Sequence, residues 1–469
     1  MMMNRKIISL VLSAIVLSGC GTLTRTDYQA PPVQVPEAWQ QKHLAQDVKV
    51  DPWWYAFNDP ILNQFIDQAL ITNNDLTLAT FTVKKARLQM GLADDDLYPQ
   101  LSSTTSAGVS KPLDGGDSTD NYSTNLSVSY ELDLWGKISA DTDQAKWAAM
   151  ASLEDRESTA QSLVATTASL YWQIGYLKQR IALSETDVAD AQKTLDLITR
   201  QYQLGAVTKL DVLEAKRSLA SLQAQQSQFN QQLVEANNAF AILFNQPPLD
   251  MTKTVKQLPD ITLPEVSSGV PADLLIRRPD VKAAIYEIKS SLASKDSVDL
   301  EYLPTLTLTG ALGGSSQELK ELLSNPIGSL GADLTLPFLQ WNDMKNNQDI
   351  ADVDYQSSIV SYRQVLYSAF QDVENALSAR EQLSYQQDRL QEQYDAAEQA
   401  EKIYISRYKY GSITIMDLLD SQENTRDAKA SLLENRYNQF VAQVALYQAL
   451  GGQDVAPNID AYQDDDSNI

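Results

Sequence analysis

The side chains that could do chemistry are unevenly supplied in this chain. Its 469 residues include 61 Asp and Glu but one His and one Cys. Grouped carboxylates can hold a cation, pass a proton or line a water-filled passage. The lone His43 and Cys20 exclude most other sites. No disulfide can close within the chain, no Cys/His zinc cage can be built, and a Ser-His-Asp or Cys-His site would have to use His43, in a Pro-rich leader. Against the acids stand 37 Lys and Arg, a formal charge of −24. That surface repels phosphate backbones and no basic patch interrupts it, so no nucleic-acid partner is expected. Carboxylate-based hydrolysis fits poorly too. The acids are spread along helical stretches, without a Gly-rich phosphate loop or a Ser nucleophile elbow. The chain is not read as an enzyme, and neither a metal nor an organic cofactor is expected.

Two groups of carboxylates occupy defined positions. Asp417 and Asp420 lie one helical turn apart, close after a Gly and a Thr, where acids favour a helix dipole. Glu131, Asp133 and Asp333 alternate with apolar residues in strand-like segments. Leu126, Val128, Tyr130, Leu132 and Leu134 oppose Ser127, Ser129, Glu131 and Asp133, and Leu101 to Val109 alternate with Ser102 to Ser110. The second half repeats this, with Leu306, Leu308, Gly310 and Leu312 against threonines, then Leu330, Ala332, Leu334, Leu336 and Phe338 against Gly331, Asp333 and Thr335.

Helical periodicity fills most of the remainder. It begins at Pro60 and runs to about Leu97, then dominates Ser139–Gln203 and Asn342–Lys409. At 1.5 Å per residue each long stretch is about 100 Å, too long for a compact core, so these helices must pack along one another in a coiled-coil-like assembly. Each ends in the same motif. Tyr202, Gly205, Thr208, Asp211 and Glu214 match Tyr408, Gly411, Thr414, Asp417 and Asp420 at one offset, an internal duplication whose Gly ends one helix and whose Thr caps the next. Each motif is read as a helical hairpin tip.

Strands of about ten residues match the height of a transmembrane β-strand. Trp135 and Trp341, with Tyr98 and Tyr302 at the far ends of their hairpins, fall where strands meet helices, as an aromatic girdle requires. On this reading Glu131, Asp133 and Asp333 face water inside a pore. Four strands cannot close a barrel and open edges are not tolerated in lipid, so the subunit must oligomerise.

The amino terminus supplies an address. Asn4-Arg5-Lys6, the apolar run Ile7 to Leu17 and Leu17-Ser18-Gly19-Cys20 read as a signal peptide over 1–19. The Leu-Ser-Gly-Cys ending resembles a bacterial lipobox, which implies a covalent lipid on Cys20, and Gly21 implies sorting to the outer membrane.

Asp51-Pro52-Trp53-Trp54 with Phe57-Asn58-Asp59-Pro60, the Asn73-Asn74-Asp75-Leu76 turn, Leu274-Leu275-Ile276-Arg277-Arg278-Pro279-Asp280-Val281 and the duplicated tips resemble outer-membrane efflux lipoproteins of the TolC-like outer membrane factor family. The likeness covers essentially the whole mature chain. It implies a mixed α+β membrane protein, a homotrimer in which each subunit gives four strands to one twelve-stranded transmembrane barrel, continued by a long α-helical periplasmic tunnel. It also implies a passive exit duct for drugs or other small toxic molecules, fed by an inner-membrane pump, commonly of the resistance-nodulation-division type, through a periplasmic adaptor protein. Asp417 and Asp420 match the family's acidic gate rings, and Tyr408 matches a tyrosine of the closing network. Ile413 stands where some members place a locking arginine, and Lys295-Asp296 replaces a usual apolar-Gly pair. Leu204, Gly205, Val207 and Thr208, with Tyr410, Gly411, Ile413 and Thr414, are the candidate adaptor contacts.

The expected layout is a lipidated extended leader over 20–59, a first repeat over 60–258, a second over 259–452 and an acidic tail over 453–469. The first repeat holds a hairpin about 99–135 and a tip about 204–208. The second holds a hairpin about 303–339 and a tip about 410–414. A lipid-anchored coiled-coil scaffold would explain Cys20 and the helices but not the four alternating strands. A duct for type I protein secretion is the remaining alternative.

Overall fold

The computed structural model describes residues 25–40, 52–248, 277–452 and 454–459, with positions 255, 257–259, 261–264, 266 and 271 of the connection between the repeats. The signal peptide, Cys20, His43, Leu274 to Ile276 and most of the acidic tail lie outside the described residues.

The helices are α1 (Pro60–Thr72), α2 (Asn74–Asp95), α3 (Lys137–Gln203), α4 (Lys209–Ile242), α5 (Pro279–Glu301), α6 (Trp341–Lys409) and α7 (Ile415–Leu450). The strands are β1 (Gln100–Ser110), β2 (Thr119–Leu132), β3 (Thr305–Ser316) and β4 (Ile327–Thr335). The two long helices start and stop within two residues of the periodicity, because no proline falls within either and a Gly in the left-handed region ends each; Gly175, inside the first, stays helical. The expected helix from Pro60 to about Leu97 is instead two. Asn73 is extended and buried; its side-chain Oδ1 accepts the Leu76 N–H at 3.1 Å, and its side-chain Nδ2 donates to the Leu243 carbonyl at 3.1 Å. No described helix is long and apolar enough to cross a membrane.

The chain divides into two compact units that cut across the repeats. One comprises, among the described residues, 25–33, 81–154 and 282–365, and it contains one antiparallel sheet ordered β1-β2-β3-β4. Its register sets Leu101 opposite Val128, Val128 opposite Gly310 and Gly310 opposite Leu330. Leu132, Leu306 and Leu334 form a parallel row. Directly paired residues share a face, so the leucines expected on one face of each strand do lie together. Leu134, Leu336 and Phe338 are the exceptions, since they lie past the ends of β2 and β4. In the same unit Trp147 stacks on Tyr286 at 5.8 Å, with the Lys289 ammonium 4.4 Å from the Trp147 ring centre. Asp296 is buried there and accepts the Thr26 N–H at 2.9 Å, so the unusual Lys295-Asp296 pair receives the leader's backbone.

The other unit comprises 34–80, 155–281 and from 366 onward. Its core is aromatic. Phe57, Phe65, Tyr171, Trp172, Phe240 and Phe440 are buried, with Trp172 4.6 Å from Phe440 and Phe65 5.0 Å from Phe240. The leader was expected to be extended throughout, yet Trp53–Phe57 form a 3-10 turn that buries Trp53, Trp54 and Phe57, because three large apolar rings in five residues gain more from burial than from solvent. The Arg-Arg-Pro-Asp segment is a clamp. Arg278 donates to both Asp280 oxygens, at 3.0 and 2.7 Å, to Asp372 at 3.1 Å and to the Ala449 carbonyl at 3.2 Å, while Pro279 opens α5. Beyond α7 the expected tail begins as a docked segment. Glu157 accepts the N–H groups of Val455 and Ala456, and Arg156 donates to the Pro457 carbonyl at 2.6 Å.

Candidate functional site: the hairpin tips and the polar strand face

Both tips are built the same way. At the first, Gly205 (φ +76°) ends α3, its N–H donating to Tyr202 and the Ala206 N–H to Gln201, each at 2.9 Å. At the second, Gly411 (φ +69°) ends α6, its N–H donating to Tyr408 and the Ser412 N–H to Arg407, again at 2.9 Å. These are paired Schellman closures, and a side chain at either glycine would be strained by its backbone angle. Thr208 and Thr414 then cap the following helices. The Asp211 carboxylate accepts Thr208 N–H at 2.6 Å, and the Asp417 carboxylate accepts Thr414 N–H at 2.8 Å and its hydroxyl at 2.6 Å. The bonds from Thr414 hold the Asp417 carboxyl below its ordinary pKa.

The duplicated aspartate is thus the third residue of a capping box in both halves. Asp417 therefore carries a local structural task as well as any charge it presents. Asp420 is exposed one turn on. Sequence reasoning had overlooked Arg217. This residue of α4 bonds to Glu214 at 2.8 Å, and Glu214 first, then Glu423 and Asp420, raise its pKa. The acid-to-arginine spacing of three on one helix was the available signal, but the proximity of α7 was not encoded in any spacing.

The hairpins pack together behind their tips. Ile198, Val212, Ala215, Ile415, Leu418 and Leu419 form a small buried cluster, with Val207 and Tyr408 against it. Tyr408 donates from its hydroxyl to Gln201 at 2.9 Å, joining α6 to α3, and burial followed by the Asp211 charge pushes its pKa up. Of the eight tip residues, Val207 and Ile413 are half-buried, while Leu204 and Tyr410 project with 85% and 84% of their surfaces exposed.

On the polar strand face, Glu131 pairs with Thr307 and Thr307 with Asp333. Glu131 and Asp333 therefore share one row, two strand spacings or about 10 Å apart. Among the described residues neither forms an ion pair, and no Lys or Arg occurs in any of the four strands. Asp133 departs from the pore-face expectation. It lies past the end of β2 and accepts the N–H groups of Ile138 and Ser139 at 3.0 and 2.9 Å and the Ser139 hydroxyl at 2.5 Å, so it secures the first turn of α3. The two tryptophans also differ. Trp135 is half-buried and donates to the Pro304 carbonyl at 2.8 Å, whereas Trp341 is exposed at the start of α6. Tyr302 is buried and its hydroxyl accepts from Asn347 at 2.7 Å, which removes it from an interfacial belt.

The chain matches the family model for outer membrane efflux proteins over residues 65–246 and 270–452. It is 30% identical, over 96% of both chains, to the antibiotic efflux pump outer membrane protein ArpC of Pseudomonas putida. Among solved structures it is similar to the open-state MtrE outer membrane channel of Neisseria gonorrhoeae, at 28% identity and TM-score 0.80 over 92% of this chain and 98% of that one. It shares its fold with the CmeC outer membrane channel of Campylobacter jejuni, at 23% identity and TM-score 0.84 over 94% and 97%. This chain belongs to the outer membrane efflux protein family, whose members are outer-membrane channels for efflux.

Proposed function

We propose that this protein is a passive exit duct of a tripartite efflux system, complete only as a trimer. Three copies join their sheets edge to edge into one twelve-stranded outer-membrane barrel, and their long helices continue it as a periplasmic tunnel. The observation that carries this reading is the four-stranded sheet. β1 and β4 are its open edges, and its apolar face is uncovered, with Leu101 72% exposed and Leu330 93% exposed. An apolar face with unpaired edges suits a segment of a lipid-embedded barrel, where neighbouring copies satisfy the edges.

The remaining assignments follow from that frame. Cys20 carries the lipid, and outer-membrane lipid surrounds the barrel. Glu131 and Asp333 line the pore at one level and favour cations there. Trp135 and Trp341 mark the membrane boundary. Asp417, Asp420 and Tyr408 narrow the periplasmic entrance, and Arg217 opposes part of that acid charge. The tips, led by Leu204 and Tyr410, meet a periplasmic adaptor that links the duct to an inner-membrane pump of the resistance-nodulation-division type. Small toxic molecules such as the antibiotics named for ArpC are the exported class.

Conductance of the purified protein in a planar bilayer tests the proposal. The expected result is a small cation-favouring current that increases in Asp417→Ala and Asp420→Ala. A protein that inserts yet passes no current overturns the duct, and unchanged current in both variants overturns the acidic gate.

A further inference from the structure

A cavity of about 40 Å³ lies beside the aromatic turn of residues 53–57, bordered by Trp54, Gln161, Tyr447, Gln448, Gly452 and Asp454. Trp54 is only 3% exposed, and its indole Nε1 makes no hydrogen bond within the protein. The Gln161 Nε2 is likewise enclosed and unbonded. Two residues that each carry a buried, unbonded N–H donor therefore line the same small space. A buried donor left unpaired loses the hydrogen bond it would make to water, so each favours a polar occupant. Asp454, the one carboxylate at the wall, is an acceptor only, so a bound anion would be repelled while a molecule that both accepts and donates would be held. The volume admits about one to three water molecules, and a buried water characteristically makes about three hydrogen bonds to otherwise unsatisfied groups.

We infer that this cavity is a binding site for ordered water, which accepts from Trp54 and Gln161 and donates to Asp454. The water joins the amino-terminal turn to α3 and to the segment after α7. It complements the direct clamp already made there, in which Glu157 takes the backbone N–H groups of Val455 and Ala456 and Arg156 takes the Pro457 carbonyl. The site is a built-in solvent joint between the aromatic turn of residues 53–57 and the segment after α7, independent of the duct reading.

The test is a structure of the full-length protein in lipid, at a resolution that shows ordered solvent, for the native chain and for Trp54→Phe and Gln161→Met. A solvent peak within hydrogen-bond distance of both nitrogens in the native chain, lost or displaced in each variant, is the expected result. Absence of that peak, or its persistence unmoved in both variants, overturns the inference. Crystals grown with bromide in place of chloride supply a second arm, since anomalous scattering at the site would identify an anion and overturn the water. Hydrogen exchange gives a third readout. Amides of residues 454–459 should exchange about five-fold faster in Gln161→Met, as the loss of one net hydrogen bond of about 1 kcal/mol dictates, and unchanged protection overturns the joint.

Discussion

At the residue scale, charge acts here mostly through geometry. Asp417 has its pKa lowered by its bonds to Thr414, so the cap it forms is fully present above the unfolded pKa of about 4 and is lost as pH falls through the depressed folded value. Circular dichroism of the full chain should show the tip helices fraying in acid, and Thr414→Ala should weaken them by about 1 kcal/mol at neutral pH, near the usual worth of such a cap. Glu157 works the other way. Burial raises its pKa despite two backbone N–H donors, so its contribution is fully present below the unfolded pKa of about 4.3 and is lost as pH rises through the raised folded value. Arg217 offers a third prediction. It sits in the field of Asp420 and Glu423, so Arg217→Ala removes positive charge from the acidic tip and should increase cation preference, read as a shift in bilayer reversal potential under a salt gradient.

At the element scale, the strands and the clamp at the head of α5 make distinct demands. Leu330 stands on the uncovered apolar face and Ser329 on the opposite, polar one. Leu330→Arg should cost roughly 2–4 kcal/mol if that face meets lipid, whereas Ser329→Arg should be tolerated, with the loss of a heat-modifiable band on electrophoresis as the measurement. Gly451 follows α7 at φ +65°, and a Cβ there would lie 3.0 Å from the Arg277 carbonyl and from the Arg278 Cα. Gly451→Ala therefore strains the backbone and pushes on the same segment that Arg278 fastens. A lower unfolding midpoint, accompanied by faster trypsin cleavage after Arg277, is expected, the Arg278-Pro279 bond being resistant to trypsin. The clamp gives this conspicuous motif a structural task at the head of α5. Its arginine spends four hydrogen bonds on Asp280, Asp372 and the end of α7.

At the scale of the whole molecule, the sequence was most legible where a local rule sufficed. Helical periodicity without proline set the two long helices, period-two alternation set the strands, and the common offset of the Gly-Thr-Asp motifs set two matching tips. Those features depend on backbone sterics and on neighbours a few residues away, so a linear pattern encodes them. What the sequence missed depended on elements far apart in the chain. Arg217 faces acids about two hundred positions later, and Tyr302 is taken from the surface by Asn347; Asp133 is the local exception, alternating like a pore residue while capping the first turn of α3 just beyond it. The repeats are the clearest case. Duplication is a property of the sequence, while each compact unit gathers pieces of both halves, since a long helix is packed by whatever lies beside each stretch of it. The sequence alone therefore determined the elements, the duplication and the family likeness. Tertiary structure decided the strand order, the single row of Glu131 and Asp333, and the nearness of Arg217 to the acids of α7, because those outcomes depend on which distant segments come together.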